Sequence, residues 1–157
     1  MSKILIFTII VISQSSLFAQ SLINKKSAMK SEKEWKNILT SEEYRILRLK
    51  GTEPPNSGAY NLHFEDGKYL CSGCKSELFE SKSKFKSSCG WPSFDNAIPG
   101  KVIEKKDNSH GMIRTEILCV NCDGHLGHVF NDGPTSTGVR YCVNSISMDF
   151  INNKPSP

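Results

Sequence analysis

The order of apolar and polar residues divides the chain into three stretches. Residues 4–12 are apolar except for Thr8, residues 31–49 carry apolar side chains at helical spacing, and from Tyr60 onward the apolar runs are short and separated by turn residues. In the second stretch, Ser31-Glu32-Lys33-Glu34 and Thr40-Ser41-Glu42-Glu43 both set a hydroxyl residue three positions ahead of a Glu. Side chain and backbone amides then satisfy one another reciprocally, which starts a helix. Two short helices are predicted, over 32–39 and 41–49. Trp35, Ile38 and Leu39 share a face of the first; Tyr44 and Leu47, with Ile46 beside them, share a face of the second, which Gly51 and Pro54-Pro55 end.

In the third stretch Asp66-Gly67 precedes Lys68-Tyr69-Leu70, Pro99-Gly100 precedes 101–104, and runs over 112–118 and 139–150 complete the set. These read as strands joined by turns and loops. No strand-helix-strand alternation is present, so a doubly wound parallel sheet is disfavoured. A mainly β, antiparallel arrangement behind two N-terminal helices is predicted.

With 157 residues, 38% hydrophobic and 23% charged, the chain is one soluble domain plus appendages. The first appendage has a short basic start at Lys3, an apolar run too short for a bilayer, and Leu17-Phe18-Ala19 with a small residue at a cleavage point. That is the pattern of a secretory signal peptide. The predicted boundaries are a signal over 1–19, a polar linker over 20–30, the domain over 31–150 and a flexible tail over 151–157. The expected location is the periplasm or the medium, with membrane attachment only if the signal stays uncut. A net charge of +4 comes from scattered basic residues, which argues against a nucleic-acid partner.

Six cysteines change the picture, and all lie between positions 71 and 142. Cys71-Ser72-Gly73-Cys74 and Cys119-Val120-Asn121-Cys122 are two C-x-x-C pairs separated by 44 residues. Each spacer forms a tight knuckle, and two knuckles close the four-coordinate shell of structural Zn²⁺. Export leaves disulfides within or between the pairs as the competing reading. A second competing quartet is Cys119, Cys122, His125 and His128, which would strand Cys71 and Cys74. A thioredoxin-like use of either pair lacks its strand-helix context.

Cys89 and Cys142 remain. Alternation over 139–144 puts Arg140, Cys142 and Asn144 on one strand face and Val139, Tyr141 and Val143 on the other. A thiol flanked by a cation and an amide favours thiolate, whereas a buried inert cysteine would leave both flanking groups unsatisfied. Cys89 stands before Gly90-Trp91-Pro92, which keeps it in a loop. One attacking thiol and one mobile thiol suit a sulfenic acid cycle, and a permanent structural disulfide is the alternative. His125, His128 and Asp132 lie in a Gly-rich segment able to approach a substrate and supply a proton near neutral pH.

With Cys-x-x-Cys, then Cys-Gly-Trp-Pro-Ser-Phe over 89–94, His-Leu-Gly-His-Val-Phe-Asn-Asp-Gly-Pro over 125–134 and Arg-Tyr-Cys-Val-Asn-Ser over 140–145, the chain resembles the methionine-R-sulfoxide reductases. The resemblance covers about residues 31–150, with Asp95 after Phe94 as a departure in loop packing. It implies two antiparallel β-sheets with helices on the N-terminal side and a structural Zn²⁺ on Cys71, Cys74, Cys119 and Cys122. It implies thiol-dependent reduction of the R epimer of peptidyl methionine sulfoxide, in repair of oxidised exported proteins. By the same resemblance Cys142 is the nucleophile that becomes a sulfenic acid, and Cys89 resolves it as a Cys89–Cys142 disulfide. Trp91 packs on the substrate's methyl group; His125, His128 and Asp132 bind the sulfoxide oxygen and assist its protonation; Arg140 and Asn144 tune and position the thiolate. The implied partners are oxidised proteins or peptides and a thioredoxin-like thiol donor. Two other classes stand against this reading. A zinc ribbon on nucleic acid would need pairs closer together, and an exported zinc-stabilised binding module without catalysis would leave Cys89 and Cys142 idle.

Overall fold

Two short helices, α1 (Glu32–Ile38) and α2 (Ser41–Leu47), open the part of the chain that the structure, a computed structural model, describes, residues 30–153. The predicted signal peptide, the linker apart from Lys30, and the tail from 154 onward lie outside the described residues. Both helices stop short of the predicted ends. The capping box of α2 is formed: Glu43 N donates to Thr40 Oγ1 at 3.2 Å and Thr40 N donates to Glu43 Oε2 at 2.8 Å. Trp35, Ile46 and Leu47 are buried, as the helical spacing leads one to expect, but Ile38 is 55% exposed. The chain leaves the helix there, and Leu39 makes the contact with the core instead.

Nine strands follow: β1 (Gly67–Cys71), β2 (Glu77–Glu80), β3 (Lys84–Phe85), β4 (Ser93–Phe94), β5 (Val102–Asp107), β6 (Arg114–Cys119), β7 (His125–Phe130), β8 (Arg140–Val143) and β9 (Met148–Asn152). They form two antiparallel sheets, β2-β1-β9 and β3-β4-β8-β7-β6-β5. The aromatic core joins the sheets. Tyr69 of β1 and Phe79 of β2 reach Phe94 of β4 at ring-centroid distances of 5.0 and 4.4 Å, and all three are fully buried. Burying such side chains is worth roughly 1.5–3 kcal/mol each. His63, which its turn-like setting suggests is a surface residue, is half-buried here, 3.0 Å from the Tyr69 hydroxyl and against Phe150.

Four expectations are corrected. The run over 139–150 is not one strand: β8 and β9 belong to different sheets, with a 3-10 turn, Ser145–Ser147, between them. The cause is Glu53, whose buried carboxylate accepts from Ser145 N at 2.7 Å and Ile146 N at 3.1 Å and turns the chain from one sheet into the other. The run over 112–118 begins its strand only at Arg114, because Met112 and Ile113 lie exposed at the β5–β6 hairpin tip. Residues 151 and 152, placed in a tail, continue β9, where Ile151 pairs with Lys68 and Asn152 with Gly67. The Gly-rich segment with the histidines is itself a strand, β7.

That strand carries one extra residue. Ile117 of β6 opposes Gly127, while Leu118 opposes His125, so Leu126 is left over as a bulge. Regular alternation would put His125 and His128 on opposite faces; the bulge brings their rings within 5.6 Å of each other. On its other edge β7 presses so close to β8 that a Cβ at position 127 would lie 2.0 Å from the Cys142 carbonyl oxygen. Glycine is therefore required by backbone approach. Gly127→Ala is expected to lower stability by about 1–3 kcal/mol, read as a lower urea midpoint with an unchanged slope.

Candidate active site

The pairing of β8 determines who meets Cys142. Its ladder partners are Ser93 on β4 and His128 on β7, so the thiol stands between a hydroxyl and an imidazole on one sheet face. Cys89, in the loop before β4, brings its sulfur to 3.8 Å from Cys142 Sγ and 3.4 Å from Ser93 Oγ. A disulfide would need about 2.05 Å, so both thiols are free and less than 2 Å of travel separates them from a bond. Arg140 stacks its guanidinium 4.6 Å above the Phe130 ring and is held there by two 2.8 Å bonds to Asp132.

Two sulfurs this close share a proton, because a second negative charge beside the first is repelled. The Cys89 thiol is brought down to about 4, chiefly by its hydrogen bond to Cys142 and with help from Ser87 and Ser93. Cys142 is pushed well up by that same hydrogen bond, by burial and by the Cys89 charge, while Arg140 pulls it down. Within the pair the lowered thiol is Cys89 and the raised one Cys142, although Arg140 favours the thiolate at Cys142 as the strand pattern leads one to expect. The hydroxyl partners belong to Cys89, and Cys142 lies deeper.

A cleft of about 130 Å³ opens at Cys142, walled by Trp91, Thr52, Phe130, His128 and Arg114. The indole is fixed by its Nε1–H, which donates to the Glu53 carbonyl at 3.1 Å. Of the three predicted proton-handling residues, only His128 reaches this cleft. His128 Nε2 lies 2.8 Å from Asp107 Oδ2, and Arg114 Nη2 donates to the same oxygen at 2.8 Å. Asp107 is held well below the usual carboxylate range by the Ser109 hydroxyl and amide, by His128 and by Arg114. His125 is buried behind, with Nδ1 2.8 Å from Glu116 Oε1. Burial keeps its imidazole below the ordinary value, and Glu116, despite its own burial, stays ionised through Lys50 and His125. Asp132 is exposed and faces a second, wider cleft that Cys89, Lys86 and Arg140 also line.

Asn144 does not touch the sulfur through any hydrogen bond; it fastens the site. Its Nδ2 donates to the Leu126 carbonyl at 3.1 Å, and its Oδ1 accepts from Glu53 N at 3.1 Å. Glu53 thereby joins the indole, the turn after β8 and β7. The sequence pattern treated residues 51–55 only as a helix stop and gave no sign of this role. Asp107 and Arg114 were missed as well, since their link to His128 spans a hairpin that no local pattern reports.

The remaining four cysteines form a separate cluster at the other end of β6. Cys71, Cys74, Cys119 and Cys122 offer sulfurs that all lie within 4.8 Å of one another, with Cys71–Cys122 at 3.6 Å and Cys74–Cys119 at 3.5 Å. A metal ion fits among them, and the distances are too long for disulfides. The quartet through His125 and His128 is excluded, because each histidine is turned to an acidic partner of its own. Hydrogen bonding among the four holds Cys74 and Cys119 down and Cys71 and Cys122 up. A cation lets all four ionise together. Leu47 of α2 packs on both knuckles, near Gly73 and Gly124, and Arg48 Nη1 donates to the Cys122 carbonyl at 2.8 Å.

Comparison with known proteins agrees with this layout. The SelR domain family matches residues 39–152. The chain is 54% identical over 123 residues to the peptide methionine sulfoxide reductase MsrB of Pseudomonas fluorescens, covering 78% of this chain and 95% of that protein. It is 55% identical over 122 residues to the MsrB of Leptospira interrogans, covering 77% and 93%. A probable methionine-R-sulfoxide reductase B of Caenorhabditis elegans is 52% identical over 120 residues, covering 74% and 79%.

The shared proton has a measurable consequence. With Cys89 near 4, its thiolate fraction is already full at pH 5.5, so alkylation of the reduced protein by iodoacetamide is expected to proceed at nearly the same rate at pH 5.5 and 7.5. Cys142→Ala removes the main cause of the lowering and returns Cys89 toward the ordinary thiol value of about 8.5. Its alkylation should then be tens of times slower at pH 5.5 than at 7.5, and a flat profile in the variant would put the cause elsewhere.

Proposed function

The chain belongs to the methionine-R-sulfoxide reductase family and is a peptide-methionine (R)-S-oxide reductase; we propose that it does this chemistry with Cys142 as attacking thiol and Cys89 as resolving thiol. The observation that carries the proposal is the reduced sulfur pair, 3.8 Å apart, with Cys142 at the cleft and opposite His128. In the first step a proton moves from Cys142 to Cys89, which puts the charge on the sulfur that faces the substrate, and Arg140 favours it there. Cys142 Sγ then attacks the sulfoxide sulfur; the oxygen is protonated and passes to Cys142, leaving methionine and a Cys142 sulfenic acid. Cys89 next bonds to Cys142 Sγ and expels the hydroxyl, which takes a proton and leaves as water. A dithiol donor gives two electrons and two protons to reopen the disulfide, becoming a disulfide itself.

The division of the walls supports the substrate reading. Trp91 and Phe130 form an apolar side for a methylthio group, and His128 with Arg114 forms a polar side for one oxygen. A chiral sulfur with one oxygen and one methyl group is told from its mirror image by such a pair of walls. His128 gives the proton. His125 and Asp132 act by fixing β7 and Arg140, and Asn144 holds the strand behind the thiol. The second cleft, at Cys89, is where a thioredoxin-like donor would reach the disulfide without entering the substrate's cleft.

We read the four-cysteine cluster as a structural Zn²⁺ site. Tetrahedral Zn–S bonds of about 2.3 Å set sulfurs about 3.8 Å apart, close to the two shortest separations here. Its role would be to hold β1 and β6 together, well away from the reacting thiols. Export, and with it repair of oxidised exported proteins, is supported by the basic start, apolar run and small residue at Ala19.

Three measurements test this reading. The R epimer of a blocked methionine sulfoxide should be reduced with dithiothreitol and the S epimer should not, and Trp91→Ala should lose about 30-fold in kcat/KM through roughly 2 kcal/mol of apolar contact. Cys142→Ser should give no methionine, whereas Cys89→Ser should release about one methionine per enzyme and stall as a sulfenic acid that dimedone labels. Equal turnover of both epimers, or full turnover by Cys89→Ser with a protein donor, would overturn the respective assignment. Elemental analysis should find one Zn per chain, and Cys71→Ser or Cys119→Ser should lose both the metal and cooperative unfolding, since such a site contributes on the order of 10 kcal/mol.

A further inference from the structure

The polar wall of the cleft is organised from a place the reacting thiols do not touch, the β5–β6 hairpin. Asp107 closes β5 and opposes Arg114, the first residue of β6. Its Oδ1 accepts from Ser109 N at 2.9 Å, which fixes the carboxylate at the turn, and its Oδ2 takes Arg114 Nη2 and the His128 ring, each at 2.8 Å. Arg114 and His128 both line the cleft. Arg114 Nε is the single buried side-chain nitrogen or oxygen without a hydrogen-bond partner among the described residues. A buried donor left open costs free energy unless an acceptor meets it, so this wall is suited to a ligand that brings an oxygen.

We propose that Asp107 is a positioning residue for the reduction: it occupies Nε2 of His128 and so leaves Nδ1, the other ring nitrogen of a side chain that lines the cleft, to protonate the sulfoxide oxygen. This rests on the assignment of Cys142 as attacking thiol. An ionised carboxylate can only accept, so neutral His128 must carry its proton on Nε2. When the ring is doubly protonated, Asp107 faces the cation and the second proton is the one on Nδ1. As Cys142 Sγ bonds to the sulfoxide sulfur and the sulfur–oxygen bond gains electrons, that proton passes to the oxygen, and the imidazole returns to the Nε2–H form. No group beyond the substrate, the thiol and the imidazolium is needed for this step. The charged and titratable groups around His128 are Asp107 from β5, Arg114 and Glu116 from β6 with Lys50 beyond Glu116, His125 along β7 and Cys142 from β8. Glu116 is engaged with Lys50 and His125, which leaves Asp107 as the carboxylate bound to the His128 ring.

The test is the first turnover of the full chain without reductant, followed as methionine released from an R-sulfoxide peptide across pH 5–9, for wild type and for Asp107→Asn, Asp107→Glu and His128→Gln. Asp107→Asn keeps the shape and loses the charge. It should slow the first turnover by about 10- to 100-fold with the peptide's KM changed by less than about threefold, and move the alkaline limb of the rate to lower pH. Asp107→Glu should return that limb toward the wild-type position, which a purely structural role would not do. Histidine-selective ¹⁵N spectra of the wild type at high pH should show His128 as the Nε2–H tautomer, a reading that needs no variant to fold. An Nδ1–H tautomer in the wild type overturns the proposal, as does an unshifted pH profile in a folded Asp107→Asn. If the wild type forms methionine and His128→Gln is unimpaired, the proposal also fails while Cys142 stands. If the wild type forms none, the assignment of Cys142 fails first.

Discussion

The close approach of β7 to β8 is the constraint on which the rest of the site depends. At Gly127 the strands are so near that a single methyl group would collide with the Cys142 carbonyl. That approach sets the register that puts His128 across from Cys142, and the bulge at Leu126 then turns His125 to the same side. Thus an imidazole and a thiol are juxtaposed by backbone geometry. Neither side chain has to be held by a flexible loop, so little conformational entropy is lost in aligning them. Cys89 is different. It comes from a loop, and its sulfur would have to move by nearly 2 Å to bond to Cys142, so the site combines strand-borne side chains with one loop-borne thiol.

Six cysteines meet two fates within one chain, and their neighbours decide which. Four lie in C-x-x-C knuckles at strand ends, where tight turns gather the sulfurs and α2 covers them through Leu47 and Arg48. The pairs reach across from β1 to β6, so one cluster ties the small sheet to the large one and supplements an aromatic core of modest size. Cys89 and Cys142 have hydroxyl, guanidinium and imidazole neighbours and an open cleft on either side. The two sets of sulfurs are thus separate groups with different neighbours.

Much of this was legible in the sequence, and the failures have physical causes. The capping box at Thr40, the two knuckles and the burial of Val143 beside a half-buried Cys142 are local, so spacing alone reports them. The division of 139–150 between two sheets was not legible, because the turn is made by Glu53, some ninety positions earlier in the chain. Strands β3 and β4 have two residues each, too few for any period to appear. His125 and His128 looked equivalent in a Gly-rich segment; a one-residue bulge and two different acidic partners, Glu116 and Asp107, separate them. Three-dimensional partners of this kind leave no mark on either residue's own neighbourhood.

The proton balance of the reaction explains why the site holds both a shared-proton thiol pair and an imidazole. Converting a sulfoxide to a sulfide and water takes two electrons and two protons, and two fully protonated thiols would supply all four. At neutral pH the pair has already lost one proton, with Cys89 near 4, so it provides a ready anion but one proton too few. A fully protonated pair would have the protons and lack the nucleophile. On the mechanism proposed above, His128, bound to Asp107 and paired with Cys142 across the ladder, would make up the difference by giving the oxygen its proton. The carboxylate at 107, which holds both His128 and Arg114, and the thiol pair beside Arg140 are therefore parts of one electrostatic arrangement.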